Sequence, residues 1–208
     1  GRFAIRDARL ATADGLFSLK PAVVDYAGGT LDLSFVLDRK QSPTAARLRI
    51  VAKDLVFGQV LTELAGARAS GGTLTGDLDL SGTGNGLRQA LATSSGRLAI
   101  LAEDGSVAVA GLQLLATDLI LDALPLTKKR SEVKLNCVMQ EWIITDGIAR
   151  AGLLYVDGHD LRIRGTGNVN LVTEGLDVKL APRPKKARIL AHNVDLDIRG
   201  TISAPKIR

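Results

Sequence analysis

Apolar and polar residues alternate strictly along much of the chain. The alternation is clearest over residues 161–171, and it returns over residues 176–180 and 194–202. Because a β-strand turns successive side chains to opposite faces, this period predicts strands with one dry face and one wet face. The main apolar positions of these segments are candidate members of one face: Leu161, Ile163, Val169, Leu171, Leu176, Val178, Leu180, Val194, Leu196 and Ile198.

The N-terminal half carries the same pattern in shorter pieces. These pieces are residues 3–5, 16–19, 31–35, 48–50, 74–80, 98–101 and 107–109. Turn dipeptides separate the alternating segments: Asp14-Gly15, Gly28-Gly29, Gly71-Gly72, Asp104-Gly105, Asp146-Gly147, Asp157-Gly158 and Glu174-Gly175. Strands joined by short turns pair antiparallel, and an antiparallel sheet can keep one face in water. The sequence therefore predicts a mainly β fold: a curved, one-sided antiparallel sheet that forms a groove.

Three segments predict short helices, at residues 58–65, 86–92 and 112–124. Asn85 is a candidate N-cap for the second. In the third helix, Leu and Ala side chains fall on one side of a helical wheel. We therefore expect this amphipathic helix to pack on the apolar face of the sheet. Its stripe is Leu112, Leu115, Ala116, Leu119 and Ala123.

Two further segments complete the prediction. Residues 133–144 alternate less clearly and are predicted as a strand. Residues 182–188 are predicted as a loop, since Pro182 and Pro184 do not suit a central strand. No domain boundary stands out, so residues 1–208 are predicted to form a single β-rich domain.

Composition supports a sheet with a real core. The 208 residues suit one large all-β domain, and a hydrophobic content of 46% argues against disorder. Only 3% of residues are aromatic while 22 are Gly, which favours short strands and tight turns. The single cysteine, Cys137, excludes a disulfide within the chain and a cysteine metal cluster.

The net charge of +5 does not indicate a nucleic-acid partner. Acidic and basic residues alternate along the same strands, and the aromatic platforms of single-strand binders are scarce. No run of eighteen apolar residues is present to span a bilayer. The chain opens with Gly-Arg-Phe, and we expect it to be a piece of a longer protein whose other parts carry the membrane anchor.

No motif with a catalytic mechanism survives inspection. His159 and His192 have no second ligand at metal spacing. The Gly-rich run at residues 82–86 fits neither the dinucleotide nor the Walker spacing, and a tight strand-to-helix connection explains it. The carboxylates lie on polar strand faces, with no acid and base pair among them. The sequence therefore predicts a protein that is not an enzyme, with no cofactor and no metal.

Two basic segments have two explanations. They are solvated loops, or they contact anionic head groups at a membrane surface. Their residues are Lys128, Lys129, Arg130, Arg183, Lys185, Lys186 and Arg188.

From residue 82 onward the chain resembles the C-terminal region of the AsmA-like family of Gram-negative envelope proteins. The resemblance rests on an ordered series of short motifs, none specific alone. They are residues 82–92 with 95–97, Glu103-Asp104-Gly105, Asp146-Gly147-Ile148, Arg164-Gly165-Thr166-Gly167-Asn168-Val169-Asn170-Leu171, and the ending at residues 198–206. Residues 1–81 share only the strand pattern and would add strands to the same sheet.

The resemblance implies a function. Proteins of this family are held in the inner membrane by an N-terminal helix, extend into the periplasm, and form β-grooves like those of chorein-type bridge proteins. They are thought to carry phospholipid toward the outer membrane or to support envelope assembly, without catalytic residues or cofactors. The ten apolar positions given above would then face lipid, unless they pack as the core of a closed sandwich. A protein partner on the apolar face or the sheet edge is the alternative occupant.

Overall fold

The computed structural model describes residues 3–66, 68–108, 132–185 and 195–207. Strands make up 74% of these residues. The strands are β1 (Ala4–Ala13), β2 (Leu16–Tyr26), β3 (Gly29–Asp38), β4 (Ala45–Val56), β5 (Ala69–Thr83), β6 (Ser95–Ala108), β7 (Glu132–Thr145), β8 (Ile148–Gly158), β9 (Leu161–Asn170), β10 (Gly175–Pro184), β11 (Leu196–Thr201) and β12 (Ala204–Ile207). The described residues also form two short helices, α1 (Phe57–Ala65) and α2 (Leu87–Ala92).

All twelve strands form one open, curved antiparallel sheet in which spatial order follows chain order. This meander confirms the predicted mainly β fold. The predicted helices at residues 58–65 and 86–92 correspond to α1 and α2, and the predicted strand at residues 133–144 lies within β7. The predicted helix at residues 112–124 lies outside the described residues.

Strand register divides the side chains into two faces. On β4, Ile50 is paired with Leu33 of β3 and Leu78 of β5. The next residue, Val51, is paired with Asp32 and Asp77. Since directly paired residues point to the same side, the sheet has an apolar face through Ile50 and a polar face through Val51.

Helix α1 packs on the apolar face at one end of the strands. Val60 belongs to a buried cluster with Tyr26, Ala27 and Leu55. Phe57 packs with Ala102 and Val107. The helix ends at Gly66, whose φ of 66° gives the left-handed cap that glycine adopts without strain.

Helix α2 packs on the same face near the opposite strand ends. A Cβ at Gly82 of β5 would collide with the carbonyl oxygen of Ala90, so the missing side chain is what lets the helix approach the sheet. The N-cap is Gly86, without a side-chain cap bond, and the prediction of Asn85 was wrong. Asn85 is the residue before the N-cap, and its backbone N–H donates to Gln89 Oε1 over 2.9 Å.

Two predicted turns lie inside strands. Gly71 and Gly72, at φ values of 62° and 73°, fall within β5, and Asp104, at 55°, falls within β6. Residues 98–101 and 107–109 therefore do not form separate strands, because the first segment and residues 107–108 share β6. A residue with positive φ can serve a local bend in a long strand as well as a turn.

The predicted loop at residues 182–188 was wrong at its start. Pro182 and Pro184 lie in β10, paired with Ile163 and Leu161 of β9. On its other side, among the described residues, β10 is paired with β11 from Gly175 to Leu180. The two prolines are two residues apart near the end of β10, so their nitrogens point to the same side of the strand and can both avoid the hydrogen bonds to β9.

Candidate functional site

The apolar face crosses the whole sheet. Twelve strands at a spacing of ~4.8 Å give it a span of roughly 50 Å across the strands, measured along the curved surface. Aliphatic side chains and glycines dominate it on every strand from β2 to β11. Gln140 of β7 is a polar exception, and its Oε1 accepts the indole N–H of Trp142 over 3.3 Å.

The two helices leave the middle of this face open. The residues of this central stretch are Leu33, Leu48, Ile50, Leu78, Leu98 and Ile100. All six are half-buried in the described part of the chain, rather than sealed under a second layer. On β4 the stretch from Leu48 to Ala52 covers roughly 13 Å at about 3.3 Å per residue. The opening therefore runs across the strands, with α1 on one side and α2 on the other.

The opposite face is polar and carries charges of both signs. Its basic and acidic residues form cross-strand ion pairs at the surface, which suits a face turned to water. These pairs are Arg47–Asp79 at 2.7 Å, Arg49–Asp77 at 3.3 Å, Lys53–Asp32 at 2.6 Å and Arg97–Glu141 at 2.8 Å.

Most of the C-terminal residues predicted for the apolar face share it by register, whereas Leu171 lies in the turn after β9 and has no strand partner among the described residues. Val169 is paired with Leu176, and Val178 with Ile198. Leu161, Val178 and Leu196 are only 4%, 6% and 5% exposed, so these three pack as core. The remaining described positions are half-buried: Ile163, Val169, Leu171, Leu176, Leu180 and Ile198. Val194 lies outside the described residues.

The two described residues of the basic segments are ion-paired. Arg183 lies 2.9 Å from Asp195, and Lys185 Nζ lies 2.8 Å from Asp157 Oδ2. The other five, Lys128, Lys129, Arg130, Lys186 and Arg188, lie outside the described residues. A role in head-group contact stays a prediction for all seven.

Asp157 is the centre of a polar cluster at the end of β8. Its carboxylate accepts from Lys185 Nζ, from Asn136 Nδ2 over 2.6 Å and from Arg162 Nε over 3.2 Å. The Lys185 hydrogen bond above all, helped by Asn136 and Arg162, lowers the pKa of Asp157 from 3.8 to about 2. The cluster ties β7, β8 and β9 to the end of β10.

The described residues hold no group of His, Cys, Asp and Glu side chains that could bind a metal ion. His159 is exposed, with its Nε2 3.9 Å from Asp160 Oδ1. His192 lies outside the described part of the chain. None of the described helices is both long and apolar enough to cross a membrane.

The central stretch was missing from the predicted site residues. Leu48, Ile50 and Ile100 belong to alternating segments that the sequence showed, yet the site was assigned to the C-terminal strands alone. The period of two in residues 31–35 and 74–80 is the signal that would have found them. It is the same signal that identified β9.

The sheet topology and its apolar face together define the class of protein. It is an open, one-sided β-sheet protein with a continuous apolar surface. Comparison with known sequences agrees, because a model of the AsmA family matches residues 6–154. The chain belongs to the AsmA family, whose members are envelope proteins. The match includes most of the segment before residue 82, where the resemblance had rested on the strand pattern alone.

A curated relative extends the similarity along the chain. The chain is 27% identical over 188 residues to AsmA family protein YhjG of Escherichia coli (strain K12). The alignment covers 90% of this chain and 27% of the relative, so the chain spans about a quarter of that protein's length. No solved structure gives a significant match.

Proposed function

We propose that this chain is a non-enzymatic lipid-binding module of an envelope protein, which holds or conducts phospholipid along its apolar face. The observation that carries the proposal is the half-buried central stretch between α1 and α2. A sheet face this apolar needs another layer, a partner or a ligand to remove it from water. An acyl chain is a ligand that matches its shape and chemistry.

Acyl chains gain about 0.8 kcal/mol for each CH₂ removed from water. A chain of ~16 carbons would therefore lose on the order of 12 kcal/mol on passing through water unaided, by the same coefficient. Aliphatic contacts are non-directional, so a lipid on the central stretch can slide rather than lock. This favours conduction over tight, specific binding.

Membership of a family of envelope proteins supports a proposal about location. We infer that the chain works in the periplasm, as part of a protein anchored in the inner membrane, in support of outer-membrane biogenesis. Membership of a family not known for enzymes supports a non-enzymatic role. The chain spans only about a quarter of its curated relative, and transport by the whole protein is part of this proposal.

A scaffold role is the second candidate, and the edge strand β1 favours it. Ile5 and Leu10 are 72% and 63% exposed there, and among the described residues β1 pairs only with β2. An exposed strand of this kind can accept a strand from another protein. A stable protein partner recovered without any bound lipid would favour this function.

The lipid proposal is tested by native mass spectrometry of the gently purified chain. We expect phospholipid to remain bound to the wild type. Ile100→Asp places a carboxylate in the central stretch, and we expect it to reduce bound lipid by about tenfold or more, because a charge is costly to bury in an apolar site.

Leu101→Asp is the matched control, since Leu101 is the next residue of β6 and is paired with Thr75 on the polar face. It should retain lipid. Circular dichroism must show both variants folded, with Ile100→Ser replacing Ile100→Asp if that variant unfolds. Absence of lipid from the wild type, or equal loss in the two variants, would overturn the proposal.

A further inference from the structure

A cavity of about 560 Å³ lies on the apolar face between α2 and the adjoining strands β3 and β4. Ligand sites for small molecules typically have volumes of about 300–1,000 Å³, so the cavity is large enough to bind one. Its apolar walls come from two strands and the helix. They are Phe35, Leu37, Ala46, Leu87 and Ala90.

The cavity is continuous with the central stretch. Phe35 is paired with Leu48, which is in turn paired with Leu80 of β5. A chain lying on the central stretch can therefore enter the cavity without leaving the apolar face. Leu87 lines the cavity and is nevertheless 77% exposed, which leaves an apolar side chain in water at its mouth.

Arg39, directly after β3, provides a positive charge at the rim. Among the described residues it is the one charged side chain that lines the cavity, and it forms no ion pair there. The neighbouring Asp38 is paired with Ala45 on the polar face. It accepts hydrogen bonds from the Lys40 amide and from Gln41 Nε2, each about 3 Å long. Arg47 shows the contrast, since Asp79 holds its guanidinium on the polar face at 2.7 Å.

We propose that this cavity is a docking site for the head-group end of a phospholipid. Arg39 pairs with the phosphate at the water-exposed rim, and one acyl chain passes between α2 and the sheet onto the central stretch. A guanidinium matches phosphate oxygens with two parallel hydrogen bonds. The inference rests on the proposed function and adds to it the place where the charged end of the lipid is held.

The first test measures affinity for two amphiphiles that share an acyl-glycerol part and differ in the phosphoglycerol group. Oleoyl-lysophosphatidylglycerol carries a phosphate, and monooleoylglycerol has the same chain and no charge. We expect Arg39→Ala to weaken binding of the first about fivefold, as for loss of a charge-assisted hydrogen bond at an exposed site, and to leave the second unchanged.

Lys40→Ala is the matched control, because Lys40 is the adjacent exposed cation and does not line the cavity. It should bind both amphiphiles like the wild type. An equal effect of Arg39→Ala on the charged and uncharged amphiphile, or equal effects of the two variants, would overturn the assignment of Arg39.

The second test locates the lipid. A photoreactive amino acid replaces Leu87, which lines the cavity, or Arg88, an exposed neighbour on the same helix that does not. We expect lysophosphatidylglycerol, at a concentration below saturation, to crosslink at position 87 several-fold more than at position 88, and Arg39→Ala to reduce the crosslinking at position 87. Native mass spectrometry of the same samples reports total bound lipid.

The outcomes separate the two proposals. Bound lipid with equal crosslinking at positions 87 and 88 rejects the cavity and leaves the lipid-binding function standing. No bound lipid in any sample rejects both.

Discussion

Side chains that share a sheet face differ in how far water reaches them. Leu161 and Leu196 are buried on the apolar face, while Ile50 and Ile100 on the same face are half-buried. The period of two predicts the face, because it depends only on the geometry of the strand. It does not predict burial, which depends on the layer that packs above. Charged substitutions at Leu161 or Leu196 would therefore test folding rather than lipid contact.

Asp157 carries a prediction about pH. Its pKa is lowered in the folded chain, so its stabilising effect is complete above about pH 4 and is lost as the pH falls toward about 2. We expect Asp157→Asn to lower the free energy of unfolding by about 1–2 kcal/mol at pH 7, through lost contacts with Lys185 and Arg162. The difference should shrink toward zero below about pH 2, where the carboxyl is protonated in both states. Urea titrations at a series of pH values measure it.

Asp177→Asn is the comparison variant. Asp177 is 52% exposed and forms one longer contact, 3.5 Å, with Arg199, so its replacement should cost less than about 0.5 kcal/mol. A deficit in Asp157→Asn that persists unchanged at pH 2 would contradict the origin assigned to it.

At the scale of elements, local signals predicted α1 and α2 but not how these two helices pack. The apolar spacing at residues 58–65 predicted α1, and the Gly-rich run before residue 87 predicted a strand-to-helix connection. The approach of α2 to β5 depends on Gly82 meeting Ala90, a contact made only once the chain folds back. The cavity at Arg39 depends on the same approach, so the sequence did not indicate it.

The packing of α2 is open to a direct test. Gly82→Ala would push a methyl group against the Ala90 carbonyl oxygen and displace the helix from the sheet. We expect a loss of about 1–3 kcal/mol in the free energy of unfolding, as for overpacked sites. The midpoint of urea unfolding measures the change.

Gly86→Ala provides the control at the start of the same helix. No atom lies within 4 Å of a Cβ at Gly86, and its φ of −172° is extended backbone that alanine adopts. Its stability should stay within about 0.5 kcal/mol of the wild type. Equal destabilisation by the two variants would mean that α2 does not pack on Gly82.

Two predicted turns and one predicted loop were wrong where short sequence signals alone were used. Gly71-Gly72 and Asp104-Gly105 have the composition of hairpin turns, but the paired strands β5 and β6 pass through both. Pro182 and Pro184 lie at the end of β10, where they are paired with β9. Both outcomes depend on which strands lie alongside, and a single stretch of sequence does not contain that information.

At the scale of the molecule, the alternation of apolar and polar residues in successive strands produces one apolar surface. Strands in chain order, each with its apolar residues in register with the next, produce a face that continues across twelve strands. Helices α1 and α2 limit it at the strand ends and leave the central stretch open across the strands. This geometry follows from the sequence pattern more directly than any single residue's role does.

The most direct test of the lipid-binding account compares two adjacent residues of β4. Ile50 and Val51 are both half-buried, but Ile50 points to the apolar face and Val51 to the polar face. A photoreactive amino acid at each position, irradiated with the chain in contact with phospholipid vesicles, reports which face meets acyl chains. The account predicts strong lipid crosslinking at position 50 and little at position 51. Equal crosslinking at the two positions, or none at position 50 in a folded chain, would contradict it.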